Sequence, residues 1–197
     1  MAEDVSRQEP QSASAYDDRI TTAVKTVLVE IGQILGSFKG KFAVIGGAVP
    51  WLLLNNEDMP HVGTLDLDLG LHAEALGDGE YARLVEELME HGYRQRDELR
   101  RFQLVRQVPA RDGGPPIDVV VDFLMPRDAD VVKNVPPLIE NFAVQKADGA
   151  DLAVHFYQMV ALSGPMPAGG TNRVEIAVCS IPALLAMKGY AIEHRHK

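Results

Sequence analysis

Two aspartates stand two positions apart in the segment TLDLDLGL, where Asp66 and Asp68 alternate with leucines. Strict alternation is typical of a β-strand, so both carboxylates should project from one face and the leucines from the other. Neighbouring carboxylates repel each other unless water, a cation or a hydrogen-bond donor offsets their charge. The pair is therefore either a solvated strand face or a site for a cation such as Mg²⁺, which prefers oxygen ligands.

Two further aspartates, Asp118 and Asp122, occur in the strand-like segment IDVVVDFL. Because they are four residues apart, they also share one face of their strand. If this strand neighbours the one that carries Asp66 and Asp68, three or four carboxylates meet on one patch. Strand periodicity alone does not choose between Asp118 and Asp122 as the third member of the cluster.

A glycine pair, Gly46 and Gly47, follows the apolar run KFAVI and precedes AVPWLLL. This order predicts a strand, a tight turn and a short helix. Glycines let a phosphate approach the backbone, and the N–H groups at the start of a helix favour an anion. A plain turn without a ligand is the alternative interpretation.

The elements around these residues predict an α+β domain, because helical and strand periodicities are mixed along the chain. The first residues, 1–15, are rich in Ser, Gln, Glu and Pro and predict a disordered tail, which leaves 16–197 as a single domain. Helices are predicted over 16–35 and 80–91, after Gly47, and from an N-cap at Ser180 onward. Strands are predicted over 41–45, 64–71, 101–108, 117–125, 152–162 and 173–178.

Composition excludes several classes of protein. The net charge of −9 argues against a binder that tracks nucleic-acid phosphates, since such proteins present a basic surface. One cysteine, Cys179, allows neither an internal disulfide nor a thiolate metal cluster, and we expect it to be a buried apolar residue. The six histidines lack zinc-site spacing. With no membrane-length apolar run and no secretion signal, we expect a cytoplasmic protein without a membrane partner.

The motifs IGG, TLDLDL and VDFL, in this order, resemble those of the nucleotidyltransferase superfamily related to DNA polymerase β. More closely, HVGTLDLDLGL, VDFL and MKGYAIEHR are similar to bacterial AbiEii/AbiGii toxin-type nucleotidyltransferases. The resemblance extends from Phe42 to the end of the chain. It implies a mixed β-sheet flanked by helices.

The resemblance also implies roles for the carboxylates. Asp66 and Asp68 match the pair that binds Mg²⁺. Asp122, in VDFL, matches the third carboxylate, which helps to bind a second metal ion and to activate the acceptor hydroxyl. Asp118 is the alternative third carboxylate.

Nucleotide-binding residues follow from the same resemblance. Gly46 and Gly47 match the turn that holds the triphosphate of the nucleotide. Lys188 and Arg195 match cations on a late helix that contact the phosphates, and their spacing of seven residues puts them on one helix face. Ala48 stands where many members have Ser or Thr.

The implied reaction moves a nucleoside monophosphate from an NTP to an acceptor hydroxyl, with RNA or tRNA as acceptor in a toxin–antitoxin setting that includes an antitoxin protein. A small-molecule or protein hydroxyl is an alternative acceptor, which the acidic charge favours. A non-catalytic binding module of the same fold is the alternative from another class. Members of the family continue past the position of Lys197, so the resemblance implies either a domain truncated at its C-terminus or a shortened member.

Overall fold

The computed structural model of the protein describes residues 17–54, 62–77, 79–96, 101–110, 113–129 and 144–195, and the predicted tail 1–15 lies outside this description. It contains helices and strands of one mixed sheet, which confirms the α+β class. The helices are α1 (Asp18–Ile34), α2 (Ala48–Leu53), α3 (Glu80–Glu90), α4 (Ala150–His155) and α5 (Ile181–Arg195), with a short 3₁₀ helix over Leu35–Phe38.

The sheet has seven strands in the order β3-β4-β2-β1-β7-β6, and the short β5 pairs with the end of β4. Two pairs, β2 with β4 and β1 with β7, are parallel, as is the short β4–β5 pair. The neighbours β1–β2, β3–β4 and β6–β7 are antiparallel. The strands are β1 (Phe42–Ile45), β2 (Asp66–Leu71), β3 (Gln103–Val108), β4 (Ile117–Pro126), β5 (Gln145–Ala147), β6 (Tyr157–Pro165) and β7 (Thr171–Cys179).

Helix α1 begins where the side chain of Asp17 accepts a hydrogen bond from the backbone N–H of Ile20 at 2.9 Å. Such a cap satisfies one of the free N–H groups of the first turn. Val24, Val27, Leu28 and Ile31 form an apolar stripe along the helix and are fully buried, and the helix packs against β3, β4, β6 and β7. Burial of each leucine or isoleucine of the stripe contributes roughly 1.5–3 kcal/mol.

The two faces of β2 have different neighbours. Leu67, Leu69 and Leu71 are fully buried in the main core. The opposite face carries Asp66, Asp68 and Gly70. A side chain added at Gly70 would meet Ala153 of α4, so this second face lies under α4. The carboxylates therefore belong to the face of the sheet that α4 covers.

The strand predicted over 152–162 is wrong in its first half. Gly149, with a φ of 74°, precedes the short helix α4, and β6 begins only at Tyr157. The run from Leu152 to Leu162 is mostly apolar, and such a run has no clear periodicity that separates helix from strand. The strand β5 was not predicted.

Other predicted features agree with the structure. A short helix follows Gly47, and the side chain of Ser180 accepts a hydrogen bond from the N–H of Ala183 at the start of α5, as an N-cap does. Cys179 is fully buried, as expected. Among the helices of the described ranges, none is both long and apolar enough to cross a membrane.

Candidate active site

The parallel pairing of β2 with β4 brings the two aspartate motifs together. Asp68 stands directly opposite Asp122 in the register, and Asp66 stands opposite Val120. Adjacent strands are about 4.8 Å apart, and residues in register project from the same face. Asp66, Asp68 and Asp122 thus lie on one face, with Asp68 and Asp122 side by side.

The structure separates the two candidates for the third carboxylate. Asp118 lies at the beginning of β4, where Arg96 donates two hydrogen bonds to it, at 2.5 and 3.3 Å. Asp122 accepts a hydrogen bond from the amide of Gln103 on β3 at 2.8 Å. Asp118 is thus held in an ion pair, whereas Asp122 is the neighbour of Asp68.

The glycine turn lies against the carboxylate of Asp68. Gly46 has a φ of 73°, a conformation that favours glycine. A methyl group added at Gly46 would also overlap the Oδ2 atom of Asp68. The register explains this contact, because Ile45, the residue before the turn, pairs with Asp68. Gly47 approaches a different side chain, that of Thr64.

The environment of Asp68 favours its protonated form. The pKa of Asp68 is raised from 3.8 to about 7, mainly by burial and then by the negative charges of Asp122 and Asp66, against which the positive charge of Lys188 on α5 lowers it. A carboxylate whose pKa is raised by its neighbours is stabilised by an added positive charge.

A cavity of about 320 Å³ opens beside Asp68. Of the seven residues predicted for the site, Gly46, Asp68 and Lys188 line it. Lys188 belongs to α5, which forms one wall of the cavity. The other residues of α5 in this wall are Leu184, Met187, Tyr190 and Ala191. Arg195 is the last residue of α5, and its side chain lies outside the described residues.

Sequence reasoning missed several polar residues of the cavity. Arg127, just after β4, donates a hydrogen bond to Asp148 at 2.6 Å, and Lys146 of β5 donates one to the carbonyl of Ala129 at 2.7 Å. Arg127, Lys146 and Asp148 all line the cavity. With Lys188, Arg127 and Lys146, the cavity has three cationic side chains, beside the carboxylates of Asp68 and Asp148. The sequence signal for Arg127 was its position just after the strand predicted over 117–125, which is common to many basic residues, whereas β5, which carries Lys146, was not predicted.

A metal ion would have to be held by few protein ligands. Within the described ranges, no group of three or more His, Cys, Asp or Glu is arranged to hold a metal ion. Mg²⁺, however, is usually held by one or two carboxylates, with water and phosphate oxygens completing its shell. The pair of Asp68 and Asp122 fits that requirement, since its mutual repulsion is what a cation would relieve. Participation of Asp66 as a further ligand stays a prediction.

Comparison of the chain with protein-family models, with curated proteins and with solved structures finds no match. The interpretation of the site therefore depends on its residues and their geometry.

Proposed function

We propose that the protein is a metal-dependent nucleotidyltransferase that moves a nucleoside monophosphate from an NTP to an acceptor hydroxyl. The family resemblance suggests RNA as the acceptor, whereas the acidic charge favours a small-molecule or protein hydroxyl. The observation that carries this proposal is the register of β2 and β4, which sets Asp68 beside Asp122. The glycine turn at Gly46 lies against the same carboxylate, and Asp68 lines a cavity together with Lys188, Lys146 and Arg127. A carboxylate pair beside a cavity that contains cationic side chains supports phosphoryl chemistry.

The protein's own residues would divide the work. Asp68 and Asp122 would hold Mg²⁺, which when bound neutralises phosphate charge and lowers the pKa of the acceptor hydroxyl. Lys188, Arg127 and Lys146 would bind the triphosphate, because ammonium and guanidinium groups form charge-assisted hydrogen bonds with phosphate oxygens.

The reaction forms a bond between the acceptor oxygen and the α-phosphorus and breaks the bond from that phosphorus to the bridging oxygen. Pyrophosphate leaves with the bonding electrons. The proton of the hydroxyl passes to Asp122, whose carboxylate is oriented by the amide of Gln103, or to water. This hydrogen bond fixes the orientation of the carboxylate, as a general base requires.

Incubation with each α-labelled NTP, Mg²⁺ and total RNA tests the proposal. We expect label in RNA with the wild type and a loss of at least about a hundredfold in rate for Asp68→Asn and for Asp122→Asn, as is typical of positioned acid–base groups. Asp118→Asn is the matched control, because it makes the same change on the same face of the same strand. We expect it to keep most of the activity.

The outcomes separate the alternatives. Label in protein or in a small molecule instead of RNA would change the acceptor and keep the reaction. Mg²⁺-dependent NTP binding without transfer to any acceptor would favour the non-catalytic binding module. If wild type and Asp68→Asn bind NTP equally well with Mg²⁺, the proposed site is wrong.

A further inference from the structure

The strand β6 forms one border of the sheet. Within the described ranges, β7 is the one strand that pairs with it, and the other side of β6 has no strand neighbour. Its nine residues, YQMVALSGP, contain no charged side chain. The backbone of this border is therefore a candidate for pairing with another strand.

The hydrogen bonds at the two ends of the β6–β7 pair show which backbone groups point outward. The N–H of Ser180 donates to the carbonyl of Phe156 at 2.7 Å, and the N–H of Met166 donates to the carbonyl of Gly170 at 3.1 Å. In an antiparallel pair, such bonds recur at every second residue. The even-numbered residues of β6 thus bond to β7. The outward N–H and C=O groups belong to Tyr157, Met159, Ala161 and Ser163.

The opposite border of the sheet is built differently. There Arg94 exchanges two backbone hydrogen bonds with Val105 of β3, at 2.8 and 2.9 Å, and so covers part of that edge. Proteins protect the edges of their sheets from association by covering them or by placing charges there. In the part of the chain that the structure describes, no strand pairs with the outer side of β6 and the strand itself has no charged residue, and Tyr157 and Met159 expose 42% and 39% of their surface.

We propose that β6 pairs with the β6 strand of a second copy of this chain, antiparallel, about a twofold axis at Val160. This register sets Met159 opposite Ala161 and Tyr157 opposite Ser163. All four outward-pointing residues are then paired, and the sheet continues from one copy into the other.

A second copy fits this border better than an unrelated chain. The large side chains, Tyr157 and Met159, lie in the first half of β6, and the small ones, Ala161 and Ser163, lie in the second half. A twofold axis at the centre therefore sets each large side chain against a small one. The chain has a net charge of −9, but none of the charged side chains belongs to β6, so two copies of this strand meet without direct repulsion between their own side chains.

Sedimentation velocity over a concentration series tests the pairing. We expect the wild type to reach twice the 21.5 kDa of the single chain. Ala161→Lys places a charge at the centre of the paired edge, and we expect it to raise the dimer dissociation constant at least about tenfold. Thr171→Lys is the matched control, because it adds the same charge at an exposed position of β7, away from the border, and it should leave the dimer unchanged.

A cross-linking experiment tests the register. In Val160→Cys, the two thiols of the dimer face each other in a pair whose Cα atoms are about 4.5 Å apart, which is within reach of a disulfide. In Gln158→Cys, on the same face, the two thiols are four residues out of register, or roughly 13 Å apart. Mild oxidation should link the first variant and not the second.

Three results would overturn the inference. They are a wild type that stays monomeric at every concentration, a dimer that Ala161→Lys does not weaken, and a Gln158→Cys variant that cross-links as readily as Val160→Cys. A wild type that stays monomeric and binds a different protein through β6 would overturn the inference in the same way. The Ala161→Lys comparison stands even if a cysteine variant fails to fold.

Discussion

At the scale of single residues, Gly46 and Asp68 depend on each other. The conformation of Gly46 turns the chain so that its backbone lies against the carboxylate, and the absence of a side chain leaves room for that carboxylate. The sequence shows both residues, but their contact follows from the pairing of β1 with β2, which residue types alone do not reveal.

Gly46→Ala should therefore disturb the site as well as the fold. We expect a loss of unfolding free energy larger than the roughly 1–3 kcal/mol typical of a non-glycine residue with positive φ, because the methyl group also displaces Asp68. Gly63→Ala is the matched control, since Gly63 has a φ of 66° and open space around its added methyl group. Urea denaturation of the two variants measures the difference. Equal losses would show that the contact with Asp68 is unimportant.

The raised pKa of Asp68, about 7, makes stability depend on pH. In the unfolded chain this carboxyl loses its proton near pH 4, so between about pH 4 and 7 the folded state binds more protons. The contribution of Asp68 to the free energy of unfolding thus falls as pH rises through that window. Above pH 7 this loss of stability has reached its full size. Asp68→Asn removes this loss. We expect its stabilising effect to grow from pH 4 to pH 8, up to about 4 kcal/mol.

Thermal melts of wild type and Asp68→Asn across this pH range measure the effect. Mg²⁺ should raise the melting temperature of the wild type at pH 8 and have little effect on Asp68→Asn. A stabilisation by Asp68→Asn that is constant with pH would contradict the pKa, and equal Mg²⁺ effects on both proteins would contradict the metal site.

At the scale of elements, the sequence predicts which residues and strands form the site better than it predicts which strands are neighbours. Alternation identified β2 and the parity of β4, so the shared face of Asp118 and Asp122 could be predicted. Which strands are neighbours depends on contacts between distant parts of the chain. The parallel register of β2 and β4 is what places Asp122 beside Asp68, whereas Asp118 lies at the beginning of β4 and pairs with Arg96.

The elements that the sequence did not predict are those without periodicity. The helix α4 has six residues and β5 has three, which is too short for a repeat of either kind to be recognised. Lys146 belongs to β5 and Arg127 follows the end of β4. Two of the three cationic residues that line the cavity were therefore not predicted.

An ion pair joins α1 to β3 on the other face of the sheet. Arg106 donates hydrogen bonds to both carboxylate oxygens of Glu30, at 2.8 and 3.0 Å, and Glu30 exposes only 4% of its surface. Glu30→Ala leaves the arginine charge unpaired, so we expect a loss of about 3–5 kcal/mol of unfolding free energy. Chemical denaturation measures it.

The exposed pair of Lys39 and Glu175 provides the control. Glu175→Ala should cost less than about 1 kcal/mol, because water screens an exposed pair. The double change Glu30→Met with Arg106→Met should recover much of the loss, since an apolar pair leaves no buried charge. If Glu30→Ala and Glu175→Ala cost the same, the buried pair has no special importance.

At the scale of the whole molecule, the cavity lies between the sheet and α5, and its charges come from distant parts of the chain. Asp68 belongs to β2 and Lys188 to α5. Lys188→Met should weaken NTP binding by about tenfold or more, the usual value of a hydrogen bond to a charged group. Lys39→Met, at an exposed position outside the cavity, is the control. A binding titration compares the two variants.

The same variant has a second readout. Because Lys188 lowers the pKa of Asp68, its removal should raise that pKa further and extend the pH-dependent loss of stability above pH 7. A carboxyl NMR titration of Asp68 follows this directly. An unchanged titration would mean that Lys188 does not act on Asp68.

The pairing of Val44 with Val178 has a consequence for biosynthesis. During translation, β1 leaves the ribosome early and must wait for β7, more than half the chain later, before its second side is paired. The helix α5, which carries Lys188, is made after β7. A nascent chain therefore carries Asp66, Asp68 and Asp122 long before Lys188 is made, and the cavity is complete only after α5 has been synthesised. Pairings between such distant segments are slow to form, so the sheet between β1 and β7 should be completed late in folding.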